Sequence, residues 1–144
     1  MNSDPHHLQR FLDAQAGVIE SVLAELRAGY KRSHWMWFVF PQLAGLGRST
    51  TAKFYAIASL DEARAYLAHP RLGPRLRQSI EAILPWVGRA SAEDIFGSLD
   101  AMKLRSSLTL FDAVEPDGIF QAGLDAFFAG NGDEQTLALL GPTE

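Results

Sequence analysis

Apolar residues recur along this chain at the three- and four-residue spacing of a helix, and turn-forming residues punctuate them. Leu8, Phe11 and Leu12 begin a stripe that Val18, Val22, Leu23 and Leu26 continue as far as Gly29. Ser49 predicts the cap of a helix through Ile57, and Ser59 with Glu62 predicts a capping box opening a helix from Asp61 to Ala68. Pro70 suits the first turn of the next helix, which carries Leu72, Leu76, Ile80, Ile83 and Leu84 on one face until Pro85 disturbs its end. Ser91 with Asp94 starts a short helix that Gly97 stops, and a long one runs from Ser98 to Val114. A further helix, from about Pro116 to Ala129, carries Ile119, Phe120, Leu124, Phe127 and Phe128. Gly130-Asn-Gly132 is a turn, and Thr136 to Leu140 adds a last helical turn before the break at Gly141-Pro142. The expected fold is all-α: a compact, single-domain multi-helix bundle with short connections and a core from about residue 8 to 130.

Two segments depart from this regularity. Lys31 to Ser49 holds two of the three tryptophans and two of the nine phenylalanines beside a histidine, a lysine and a glycine-flanked turn. As a helix it groups His34, Trp37 and Phe38; as a strand it groups His34, Met36, Phe38 and Phe40. Pro41 disfavours helical geometry at Phe40, so the short helix favoured by its helical neighbours must stop there. In the long helix, Leu99, Met102, Leu104, Leu108, Leu110, Phe111, Ala113 and Val114 cover most of the wheel. The remaining arc of Arg105, Thr109 and Asp112 is expected to face water, whereas Asp100, Lys103 and Ser107 fall together inside an apolar sector. A lysine and an aspartate in such company are costly to bury unless each finds a partner.

Composition narrows the classes of function. A chain of 144 residues is about one domain, large enough to need no covalent staple. Cysteine is absent, which removes thiol nucleophiles, disulfides and cysteine-metal sites and is compatible with a cytoplasmic setting. No apolar run approaches the roughly 20 residues that cross a bilayer, and the amino terminus lacks the pattern of a secretory signal, so no membrane partner is expected. Net charge is -4, yet all thirteen Lys and Arg lie at or before Arg105 and seven carboxylates follow. From Arg27 to Arg77 there are nine basic residues against two acidic, a net of +7 that would draw an anion. The plainer account is that the basic segment and the acidic end face each other or are solvated surfaces. Nucleic acid is a weaker partner than a small anion, because the net charge is negative and no reading motif is present.

The candidate chemistry follows from these segments. His34 and Asp100 are candidate proton-transfer groups, since an unperturbed imidazole titrates near neutrality and a carboxylate among apolar neighbours has adjusted acidity. Lys31, Trp35, Trp37, Gln42, Lys103 and Ser107 are candidate ligand contacts, and Gly45, Gly47 and Ser49 form a flexible turn before a helix start that could hold a phosphate. Each has a structural alternative. The aromatics can be core, His34 a hydrogen-bonded structural histidine, Asp100 and Lys103 an ion pair within one helix, and Ser107 bonded back to a carbonyl. The turn lacks the phosphate-loop spacing, and no zinc-protease, nucleophile-elbow, dinucleotide or calcium-loop motif occurs, so no metal or cofactor is expected. His6 and His7 lie near the terminus and read as solvent-exposed.

Five blocks together resemble the family known as domain of unknown function 1810: His34-Trp-Met-Trp-Phe-Val-Phe-Pro-Gln42, Gly45-Leu-Gly-Arg-Ser49, Tyr55-Ala-Ile57, the stretch from Glu62-Ala63 through Tyr66-Leu67 and His69-Pro70 to Arg75-Leu76, and the stretch from Lys103-Leu104 through Ser106-Ser107 to Phe111. The resemblance covers about residues 8 to 130, with Leu108 where the family's pattern has methionine, a volume-conserving change. It implies a compact, mainly helical domain and no established activity. The calpastatin label that some members carry does not fit, because nothing here is repetitive or low in complexity. The residues point to a helical pocket protein for a small anionic nucleotide or ADP-ribose-like ligand, with hydrolysis of that ligand as a candidate activity. The alternative is a noncatalytic interaction module presenting an aromatic and basic surface to a protein or nucleic acid.

Overall fold

The computed structural model describes residues 4–141. Among these the chain forms ten α-helices and one 3-10 turn, and its only extended pairing is a single parallel bridge between Leu43 and Ile57. The helices are α1 (Gln9–Gln15), α2 (Ile19–Arg27), α3 (Met36–Val39), α4 (Thr50–Phe54), α5 (Leu60–Ala68), α6 (Leu72–Ile83), α7 (Ala92–Phe96), α8 (Ser98–Val114), α9 (Ile119–Phe128) and α10 (Glu134–Leu140), with the 3-10 turn Leu84–Trp86 after α6. The all-α fold read from the periodicity is the observed one. Pro142, expected to break the chain, lies outside the described residues.

Local chemistry explains where the elements end. Ser91 and Asp94 form a complete capping box on α7. At α5 only half of the expected box forms: Ser59 Oγ accepts from the Glu62 amide at 3.1 Å, but the Glu62 carboxylate turns away. It accepts instead from the Ala58 amide at 3.2 Å and from Arg10 at 2.8 Å. Helix α4 stops at Phe54 rather than Ile57, because the Ile57 amide and carbonyl bond to Gln42 and Ala44, each at 2.8 Å. The aromatic segment is a single helical turn, α3, closed before Pro41.

Helix α8 is the axis of the core. Helices α5, α7, α9 and α10 pack around it. An aromatic series runs across the interior, from Phe11 to Tyr66 at 5.1 Å between ring centroids, on to Phe111 at 5.4 Å and to Phe120 at 5.7 Å. Burial pushes the Tyr66 hydroxyl above its ordinary pKa, although a hydrogen bond from Gln15 opposes this.

The wheel drawn for α8 fails on two of its sides. Thr109, expected in water, is buried, because residues 131–133 and α10 fold over it: its hydroxyl accepts from the Asp133 amide at 2.8 Å and donates to the Arg105 carbonyl at 2.7 Å. Arg105 donates to the Asn131 carbonyl at 3.0 Å, and Asp112 keeps one carboxylate oxygen buried without a partner. Conversely Leu99 and Met102, expected in the core, are 75% and 65% exposed. A hydroxyl that satisfies its bonds within the chain is buried at little cost, so polarity alone does not mark the wet face of a helix.

One buried charge ties the amino-terminal half together. The Arg10 guanidinium donates to Glu62 and to the carbonyls of His6, His7, Phe54 and Ala56, at 2.7 to 2.9 Å. A single cation thus joins α1, the 54–58 connection and α5. The Arg10→Met variant strands a buried carboxylate and four carbonyls, and it is expected to lose about 3–5 kcal/mol of unfolding free energy. Urea denaturation checks this; a loss under about 1 kcal/mol contradicts it.

Candidate functional site

The sharp corner between α7 and α8 brings the two irregular segments together. Gly97 sits between the helices with φ of 81°, a conformation that costs glycine little, so α8 starts immediately after α7. The carboxyl end of α7 then anchors the 31–37 segment, since the Lys31 amide bonds to the Ile95 carbonyl at 2.8 Å. The result is a cleft of about 400 Å³ whose walls are Lys31, His34, Met36 and Trp37 on one side and residues 96–100 with Lys103 on the other.

Asp100 organises the charges. Its two carboxylate oxygens take Lys31 Nζ at 2.8 Å and Lys103 Nζ at 3.3 Å. The plain expectation of an ion pair within the helix therefore holds for Lys103, but the shorter bond comes from the distant Lys31. The two ammonium groups differ in what they have left to offer. Lys31, with its side chain only 7% exposed, also donates to the Ser33 carbonyl and lies 4.9 Å over the Trp35 ring. Lys103 is 27% exposed and lies 4.9 Å over the Trp37 ring, with one long bond to Asp100. An ammonium has three donor hydrogens, so Lys103 retains donor capacity toward the cleft. No side chain caps α8, and Ser98 lines the cleft, so unpaired amides of its first turn add positive potential there.

The other expected residues divide. Trp37 and His34 line the cleft, His34 as an exposed side chain at its edge. Trp35 is buried as core, packed on Phe40 and Phe96. Gln42 and Gly47 line a second, smaller cleft of about 180 Å³ together with Leu46, Ser106, Asp133 and Gln135. Gly45 and Ser49 line neither, and Ser49 Oγ is committed to the Ala52 amide at 3.0 Å as the cap of α4. Gly47 answers a packing demand, since a Cβ there would collide with the Ala52 side chain. Ser107 is buried, and its hydroxyl has neither the carbonyl partner expected of a structural serine nor a place in either cleft. Of the basic segment, Lys31 is the member that reaches the first cleft; Arg48, Lys53, Arg64 and Arg71 are solvated. The basic and acidic halves meet where Arg77 holds Glu115 through two bonds of 2.5 and 3.0 Å.

Residues 5–140 match the family described as protein of unknown function DUF1810. The chain belongs to this family. Similar to it is the crystal structure, at 1.38 Å, of the conserved hypothetical protein Rv1873 from Mycobacterium tuberculosis. The two are 51% identical with a TM-score of 0.92, over 97% of this chain and 100% of that one. No curated protein matches the chain. No helix among the described residues is long and apolar enough to cross a membrane.

The site of this DUF1810 protein depends on a residue that its sequence does not advertise. Glu25, at the end of α2, accepts from the amides of Arg32 and Ser33 at 2.6 and 3.0 Å, from the Ser33 hydroxyl, and from the Trp35 indole at 3.1 Å. These bonds fold the loop that carries Lys31 and His34 into the cleft wall. Burial raises the Glu25 pKa, but the Ser33 hydroxyl, the two amides and the indole outweigh it and hold the carboxyl at about 2. A lone glutamate on a helix surface gives no sequence signal of this kind; only the cluster of donors at residues 32, 33 and 35 could have hinted at it. Because the folded pKa is depressed, the stabilisation is complete above the ordinary value of 4.5 and is lost as pH falls toward about 2. Between those two values wild type is expected to lose stability more steeply than Glu25→Gln, measured by urea unfolding followed at tryptophan. Parallel losses in the two proteins would remove Glu25 from this role.

Proposed function

We propose that the first cleft binds a small anionic ligand bearing a flat ring, of the nucleotide or ADP-ribose-like class. The observation that carries this reading is the convergence of Lys31, His34 and Trp37 with Asp100 and Lys103 on one concavity. Its size falls within the roughly 300–1,000 Å³ of small-molecule sites, and its apolar lining carries a few convergent polar groups. Lys103 and the first turn of α8 take the anion, and Trp37 offers an aromatic face. Asp100 serves by orienting both ammonium groups, which leaves His34 at the edge as the group free to accept a proton from water in a hydrolytic step.

A second reading, a noncatalytic interaction module, draws its support from the exposed Leu99 and Met102 beside the cleft. The concavity favours the ligand reading, because a docking surface needs no half-buried ammonium group lining a cleft.

Thermal-shift measurements with AMP, ADP-ribose and ribose 5-phosphate test the ligand reading. At a ligand concentration 100 times Kd, stabilisation of about 2.7 kcal/mol raises Tm by on the order of 10 °C. Lys103→Met keeps the apolar contact with Trp37 and leaves Asp100 paired to Lys31, so its unfolding free energy is expected to stay within about 1 kcal/mol of wild type. Its ligand affinity is expected to fall at least about tenfold. A panel that leaves wild-type Tm unmoved defeats the reading in favour of the interaction module.

A further inference from the structure

We infer that the two clefts are one bipartite site, and that its second chamber receives the hydroxyls of a sugar joined to the anion held in the first. This rests on the ligand reading above and specifies the class of ligand: a sugar phosphate or nucleotide sugar rather than an aromatic acid. Leu99 and Lys103 line both clefts, so the Lys103 side chain stands at the boundary between them, with its ammonium beside Asp100 and Trp37 of the first. The smaller chamber, about 180 Å³, is below the usual range for an independent small-molecule site and suits an annex that takes one ring.

The polar groups differ in kind on the two sides of Lys103. The first chamber has two ammonium groups against the single Asp100 carboxylate, and the amino-terminal turn of α8. The second is walled by the apolar Leu46, Leu99 and Met102, which suit the C–H face of a sugar ring, and its polar residues besides Lys103 are Gln42, Gln135, Ser106 and Asp133. Asp133 opposes a second anion there, whereas amides supply both donors and acceptors, which is what a polyol requires. The Ser106 hydroxyl is tied to Thr136 at 2.8 Å and Asp133 is tied to the Thr136 amide at 2.9 Å. These bonds hold the chamber's floor in place, so Gln42 and Gln135 are the groups that read the sugar. Gln42 itself stands on rigid backbone, since Pro41 before it is buried and its own carbonyl accepts from Ile57.

The test compares ribose 5-phosphate with phenyl phosphate, which keeps the anion and a flat ring but lacks hydroxyls, by titration calorimetry on wild type and Gln42→Leu. Wild type is expected to bind ribose 5-phosphate at least about tenfold more tightly, and Gln42→Leu to abolish that preference while its phenyl phosphate affinity stays within about twofold. Gln135→Ala, at an exposed position, is expected to reduce the preference as well and serves if Gln42→Leu fails to fold. Equal wild-type affinities, or a variant that weakens both ligands alike, overturn the bipartite site while leaving the anion cleft standing. Binding of neither compound at millimolar concentration overturns both.

Discussion

Enclosure of α8 is the constraint from which the rest follows. Helices α5, α7, α9 and α10 cover most of its length, and the Ser106 and Thr109 hydroxyls along its middle are satisfied from within the chain. Its first turns are where side chains escape that enclosure: Leu99 and Met102 are exposed, and Asp100 and Lys103 are half-buried.

The two ionic centres show what distinguishes structural from available charge. Arg10 has every donor direction filled by a carboxylate or a carbonyl, and nothing remains for a ligand. Asp100 instead divides its two oxygens between two cations drawn from distant parts of the chain, and one of these, Lys103, holds on by a longer bond over an aromatic face. Desolvation without full satisfaction is the condition under which an ammonium gains most from an incoming anion. The wall opposite Lys103 has no regular structure of its own beyond the single turn of α3, and it owes its shape to the four donors that Glu25 gathers.

Helix existence and helix boundaries set by capping were legible in the chain, because both depend on neighbours within one or two turns. The Ser91–Asp94 box, the stop at Gly97 and the core stripe of α6 are cases of this. That Lys31, His34, Asp100 and Lys103 share one cleft was expected from two separate oddities, an aromatic segment too rich for an ordinary helix and charges in an apolar sector, but the bond from Lys31 to Asp100 was not legible. Where distant partners intervene the local pattern misleads. Glu62 forsakes its cap for Arg10, Thr109 goes dry under residues 131–133, and Leu99 stays wet.

By itself, then, the sequence determined an all-α chain of this family, with two unusual segments and no thiol chemistry, since periodicity, capping and composition act through local geometry. Tertiary structure alone decided which charges are spent and which are open. That outcome depends on which carbonyls, carboxylates and rings come within about 3 to 5 Å of each side chain, and those neighbours lie up to some seventy positions away along the chain, as Lys31 does from Asp100.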